Sequence, residues 1–435
     1  MAKKKPTSNR GEISRLAKQI ADHQARIQVI AANWWAMTVA ALDATEKKYL
    51  AELAKGLAGV NFAANDPGSI RRLKKLCAKL AAIRAIGWAN AAKQIRKEMI
   101  SLAENEQHWA KRISLELGAG SSDTAEDAKK NDQKDQTVSN APKNTPADSA
   151  EMVIAPKEQI EKIVDNGLAE GATAKEWFDS LSEAEAARVE AAVKQGVAEG
   201  KTNDQLVAEI GGTAKNNHED GILERSRTDS SRIVRTLTNS VANNAKEDFY
   251  RANDDVLVGV EILATLDGRT CPACASLDRN RYKFDEPHPL LPIHHNCRCV
   301  LLPVTPVSDL VEESRPMAKS DFMADAKRAY EKKYPGKKFD DLSESTKKKY
   351  YYEAMRDYER RTGEPAYTQV SGGVTFKDYF EHHMTAQQQR DWLGPERYEI
   401  WRRGNLPLDK FIPPYPNPRL TVKVLKELDK ESFTA

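Results

Sequence analysis

Apolar residues recur at helical spacing along most of the chain. Ile70, Leu73, Leu76, Cys77, Leu80 and Ile83 fall at steps of three and one, the stripe of an amphipathic helix, and residues 10 to 118 read as long helices of this kind. Asn65-Asp66-Pro67-Gly68 interrupts the stripe, because proline and glycine together punctuate a turn. An antiparallel helical hairpin is predicted, with Trp34, Trp35, Trp88 and Trp109 packing at helix contacts. Residues 119 to 150 then offer Gly, Ser, Asp, Lys, Asn and Pro with almost nothing to bury, the composition of a flexible linker that could hold the helical piece well away from the rest. Helical signals return after residue 157. Ala174 to Glu199 is rich in Ala and Glu, and Thr202-Asn203-Asp204-Gln205 fits a capping box ahead of Leu206, Val207 and Ile210. Gly211-Gly212 stops that helix, and from Asp229 to Arg251 a further one places Ile233, Leu237, Val241 and Ala245 at four-residue steps.

The period then changes. Val256, Val258, Val260, Ile262, Ala264 and Leu266 alternate as in a strand, Asp267-Gly268 makes a tight turn, and Arg281 to Phe284 and Arg298 to Val304 are further short strand candidates. Beyond Pro306 the chain is basic, Tyr-rich and loosely patterned, and helices are expected again. Pro414, Pro416 and Pro418 keep the tail extended before a last short helix at Thr421 to Leu428. The predicted fold is mainly α with a small α+β module containing a Cys/His zinc-knuckle-like hairpin. It divides into a basic helical N-terminal arm (1–118), a flexible linker (119–150), a core of helices and small sheet (151–306) and a helical C-terminal extension (307–435).

Composition adds an asymmetry. At 435 residues the chain exceeds one ordinary hydrophobic core, and its 30% charged content makes for wet helices. The net charge of +3 hides an N-terminal excess, for residues 1 to 120 hold 21 Lys/Arg against 10 Asp/Glu. That bias suits a polyanion such as nucleic acid or an acidic partner surface, although solvated helix faces produce it with no partner. Met1-Ala2-Lys3-Lys4-Lys5-Pro6 is basic but leads into polar residues, so no secretory signal is expected, and no run approaches the roughly 20 apolar residues that cross a bilayer. A soluble protein made in the cytoplasm, with no membrane contact, is expected.

Candidate chemistry concentrates in one place. Of five cysteines, Cys271, Cys274, Cys297 and Cys299 fall within 29 residues, while Cys77 stands alone. Cys271-Pro-Ala-Cys274, nineteen residues, then His294-His295-Asn-Cys297-Arg-Cys299 has the form of a zinc knuckle. Thiolates and imidazole suit Zn²⁺, and two intervening residues let both sulfurs of a pair face one point. The first pair is plain; His294, His295, Cys297 and Cys299 compete for the other two places. His294 with Cys297 forms a turn-like pair resembling the first, whereas Cys297 and Cys299 share one face of an extended strand. A metal-free hydrogen-bonded loop, or an oxidised pair, is the plainer alternative. Catalytic zinc is disfavoured: Thr270 stands where a deaminase has proline, and no His-x-Glu lies upstream. His382-His383 reads as a solvated helix face, and Lys347 to Tyr352 as a basic face with half-buried tyrosines or a phosphate grip.

Leu266-Asp267-Gly268-Arg269-Thr270-Cys271-Pro272-Ala273-Cys274, then Leu277-Asp278 and Tyr282, then Pro292-Ile293-His294-His295-Asn296-Cys297-Arg298-Cys299, resembles the signature of the Mu F-like head-morphogenesis proteins of tailed bacteriophages. Arg279 stands where that family usually has glycine, so the turn after Asp278 is expected to differ in shape. Thr202-Asn203-x-Gln205-Leu206-Val207 and Arg235-Thr236 upstream are similar to the family as well, as are Trp392-Leu393-Gly394-Pro395-Glu396-Arg397 and Gly404-Asn405-Leu406 downstream. The resemblance implies a minor head protein of the virion, without catalytic residues or small-molecule substrate. Its implied partners are the portal and major capsid proteins, with packaged DNA met through the basic N-terminal region. Rival readings are a knuckle that binds nucleic acid and an effector or toxin carrying such a module.

Overall fold

The computed structural model describes residues 10–58, 67–119, 152–216, 218–306, 314–342 and 344–430. Helices α1 (Arg10–Leu57) and α2 (Pro67–Glu116) form the predicted antiparallel hairpin, each arm about 70 Å long at 1.5 Å per residue. Leu73, Leu76, Cys77, Leu80 and Ile83 are buried as their spacing requires, while Ile70 at the start of the stripe stays 42% exposed.

Four helices come next: α3 (Lys157–Asn166), α4 (Ala174–Ala198), α5 (Asn203–Gly211) and α6 (Ile222–Ala252). Both halves of the capping box at Thr202 and Gln205 are present, and Gly212 ends α5 with φ at +82°, a conformation that favours glycine. Trp34 and Leu42 of α1, Trp88 and Ile95 of α2, Ile160, Phe178, Leu237 and Val241 share one core. The N-terminal hairpin is therefore packed directly on these helices and not held apart from them. Its apolar stripe is covered by α4 and α6, and a buried ion pair, Arg84 with Glu185 at 2.6 Å, ties α2 to α4. Apart from Ala119, the expected linker lies outside the described residues.

Strands β1 (Gly259–Leu263), β2 (Arg281–Lys283) and β3 (Val300–Val304) make an antiparallel sheet in the order β2-β1-β3. The alternating run from Val256 to Leu266 contains β1, and every residue of β1 is buried, the ones between the apolar positions included. One face carries Val260 and Ile262 against the cysteines. The other sets Leu263, with Val300 and Leu302 of β3, against Ile20, Trp109, Ile113 and Leu117 of the hairpin.

The C-terminal extension is helical with one departure. Strands β4 (Ser314–Ala318) and β5 (Tyr367–Ser371) pair antiparallel and embrace a second hairpin, α8 (Phe322–Lys333) and α9 (Glu344–Thr362), numbering as α7 the short helix Pro272–Leu277. Helices α10 (Ala386–Leu393), α11 (Pro395–Arg403) and α12 (Val422–Leu428) then pack around Phe376, Phe380 and Phe411, and this cluster includes Leu266 and Ala275 from beside the cysteines. No helix among the described residues is long and apolar enough to cross a membrane.

Candidate metal centre

Cys271 caps the N-terminus of α7, with Pro272 in the first turn and the Cys274 amide donating to the Cys271 sulfur at 3.4 Å. The first loop is thus a cap whose geometry turns both sulfurs inward. The second loop turns back through the Cys297 amide, which donates to His294 O at 3.1 Å, with Asn296 at a φ of +59°. Helix α6 holds this loop by its polar side chains. Asn239 donates to Cys297 O at 2.8 Å, Asn243 donates to Cys299 O at 3.2 Å and accepts from the Leu301 amide at 2.9 Å, and Thr236 Oγ1 accepts from the Asn296 amide at 3.2 Å.

Five of the sequence's six candidate ligands, all but His295, meet. His294 Nε2 lies 3.2 Å from Cys271 Sγ and 3.0 Å from Cys274 Sγ, and Cys274 Sγ lies 3.8 Å from Cys297 Sγ. The donor atoms of Cys271, Cys274 and His294 lie within 4.8 Å of one another, and so do those of Cys274, Cys297 and Cys299. All four cysteines here are free thiols. His294 Nδ1 donates to His295 O at 2.7 Å, which aims Nε2 at the sulfurs. His295 itself lies outside the cluster, with Nδ1 3.2 Å from Glu170 and its ring edge-on to Trp177.

The electrostatics split the four thiols, with Cys271 and Cys297 pushed down and Cys274 and Cys299 pushed up by their sulfur neighbours and by burial. Hydrogen bonding from the Cys274 thiol, then from His294, pulls the Cys271 thiol down to about 4, and the bond to Cys271 lifts His294 to about 9. The Cys297 thiol is likewise held well below its ordinary value by Cys274 and then Cys299. A cavity of about 20 Å³ lies among Cys271, Cys274, His294 and Cys299, with Arg269 and Arg298 on its rim. The residues present fit a zinc-sized ion. The donors are soft, no carboxylate competes, and the 3.8 Å sulfur separation matches the edge of a tetrahedron with metal–sulfur bonds of about 2.3 Å.

Two ion pairs, one partly and one fully buried, lock the loops, and neither was foreseen from the sequence. Arg298, between Cys297 and Cys299, grips Asp267 bidentately at 2.6 and 2.7 Å, joining the second loop to the turn before the first. Burial would raise the Asp267 carboxyl, but the charges of Arg298 and Arg269 reverse this and hold it well below the usual carboxylate range. Asp278, just past α7, accepts from Arg315 at 2.8 and 2.9 Å and from the amides of Ala264 and Phe376, fastening the module to the C-terminal extension. The available signal was the presence of Asp267, Asp278 and Arg298 inside the motif itself. Gly268 has a steric reason, since a Cβ there would overlap the Asp321 carboxylate.

The other singled-out residues lie elsewhere. His382 and His383 are exposed on a single wide turn, Tyr379–His383. In the Lys347 to Tyr352 block Tyr351 is buried, its hydroxyl 2.9 Å from that of Tyr367, with Arg269 4.7 Å above its ring.

Residues 187–302 match the family model described as phage Mu protein F like protein. This stretch is Mu F-like. The Mu F-like segment runs from within α4 through α6 and the sheet to β3, and includes every candidate ligand. No curated protein and no solved structure matches the chain. Arg279 takes a φ of +65°, the left-handed region that favours glycine, and its guanidinium pairs with Glu261.

Proposed function

We propose that this chain is a minor head protein of a tailed phage, built into the particle during head assembly, in which one structural zinc closes the Mu F-like module. The carrying observation is that the matched segment ends in a hub of five soft donors enclosed by the fold. Cys271, Cys274 and His294 would hold the ion, with Cys297 or Cys299 completing four. The ion would supply a cross-link between two loops, and the protein ligands would leave no position open for a reacting water. In a segment where β2 has only three residues, such a staple offsets a small core.

The portal and major capsid proteins are the proposed partners of the helical surfaces. Packaged DNA would be met along the outer face of α2, where Arg71, Arg72, Lys74 and Lys75 are exposed. The test is binding of the purified full chain to portal protein, with and without duplex DNA, alongside its zinc content. Portal binding that persists without DNA, with one zinc per chain, supports the reading. Affinity for DNA alone would favour a nucleic-acid-binding knuckle, and a folded chain without zinc would remove the staple.

A further inference from the structure

The C-terminal extension reaches the residue before Cys271 through Trp392, and beside that contact it carries two guanidinium groups, Arg397 and Arg419, that lack a carboxylate partner among the described residues. Trp392 of α10 donates from Nε1 to Thr270 O at 2.6 Å, one residue before Cys271, and the Arg419 guanidinium sits 5.5 Å above the Trp392 ring. Arg397 of α11 donates from Nη2 to Leu420 O at 3.1 Å. Nε of Arg397, and Nε and Nη2 of Arg419, are buried and meet no acceptor. Burial and the like charge of Arg397 both depress the pKa of Arg419, and the opposing influence comes from Cys271. Two partly buried cations side by side are costly unless an anion faces them. The Cys271 side of the cluster presents one: a Zn²⁺ with three thiolates and an imidazole carries a net charge of −1.

We propose that Arg419, backed by Arg397, is the outer counter-charge of the cysteine–histidine centre, so that loading the centre and docking residues 386–428 strengthen one another. The proposal rests on the zinc reading above. Linkage requires reciprocity: whatever factor the docked segment adds to zinc affinity, zinc adds to docking. Arg419 is a positioning residue, since it would act through Cys271 and not on the ion.

The experiment uses the full chain, its zinc titrated against a coloured chelator, with Arg419→Met and Arg419→Lys beside the wild type. Hydrogen exchange across 386–428 is measured with zinc present and removed. Arg419→Met is expected to weaken zinc binding about 10-fold, the usual effect of losing an outer partner, while Arg419→Lys keeps the charge and most of the affinity. Removing zinc should speed exchange in 386–428 of the wild type and much less so in Arg419→Met. Equal zinc affinity in wild type and Met variant, equal losses in Met and Lys, or exchange indifferent to zinc would each overturn the proposal. A wild type that binds no zinc would overturn the zinc reading with it, whereas a zinc-binding wild type with an indifferent Arg419 would overturn this inference alone.

Discussion

Arg279 holds a left-handed backbone with a long charged side chain in place of the glycine that such a φ favours. A left-handed backbone costs a non-glycine residue roughly 1–2 kcal/mol, and here the pairing with Glu261 offsets part of it. Arg279→Gly is therefore expected to change stability by less than about 1 kcal/mol, and Arg279→Val to destabilise by about 2 kcal/mol, since a β-branched side chain brings strain without the ion pair. Urea denaturation checks both, and a Gly variant weaker than the Val variant would contradict the account. Asp267 is a larger test. Removing it leaves Arg298 partly buried without its bidentate partner, so Asp267→Ala should cost about 3–5 kcal/mol. Because its folded pKa lies below the unfolded value, the wild-type stability from this pair is present above about pH 4 and is lost as pH falls through the folded pKa. Asp267→Ala should lack that acid-range loss; an unchanged acid transition would count against it.

At the scale of elements, what the sequence made legible was local. The hairpin, the capping box at Thr202 and the two cysteine loops arise from neighbours within a few residues, and the structure has them all. Non-local features were opaque. β4 and β5 pair across some fifty residues, and their sequences carry no alternation that announces it. Helix α6 begins at Ile222 and not near Asp229, where the apolar steps placed its start, and Ser226, Ser230 and Ser231 are buried along with the apolar stripe. Its buried Asn239 and Asn243, which the apolar steps do not point to, hold the carbonyls of the second cysteine loop. The same helix carries Lys246, fully buried, 3.8 Å from Glu106 of α2, which also lies 2.9 Å from His23 of α1. Burial pushes Lys246 down to about 8. Between that value and its unfolded value of about 10.4 the unfolded chain binds the extra proton, so stability should rise with pH across this window, by on the order of 3 kcal/mol, and be flat just below it. Denaturation midpoints of wild type and Lys246→Met between pH 7 and 10.5 test this. The rise should be absent in the variant, and an identical rise in both would assign it elsewhere.

Across the whole molecule, the cysteine–histidine hub stands where three parts meet. The hairpin covers the far face of its sheet, α6 holds its second loop, and the C-terminal extension fastens on through Asp278, Arg315 and Trp392. The sequence made the hub's donor list legible, but not which parts converge on it, since that depends on contacts such as Asp278 with Phe376, 98 residues apart. A centre so enclosed is suited to fixing a scaffold, and under the proposed function the helical surfaces around it are what the phage head uses. The most direct measurement is quantitative mass spectrometry of this polypeptide in purified heads assembled with the wild-type chain or with Cys271→Ser/Cys274→Ser. The wild-type chain should be present in heads and the double variant strongly depleted from them. Heads without the wild-type chain, or equal incorporation of both, would contradict the account.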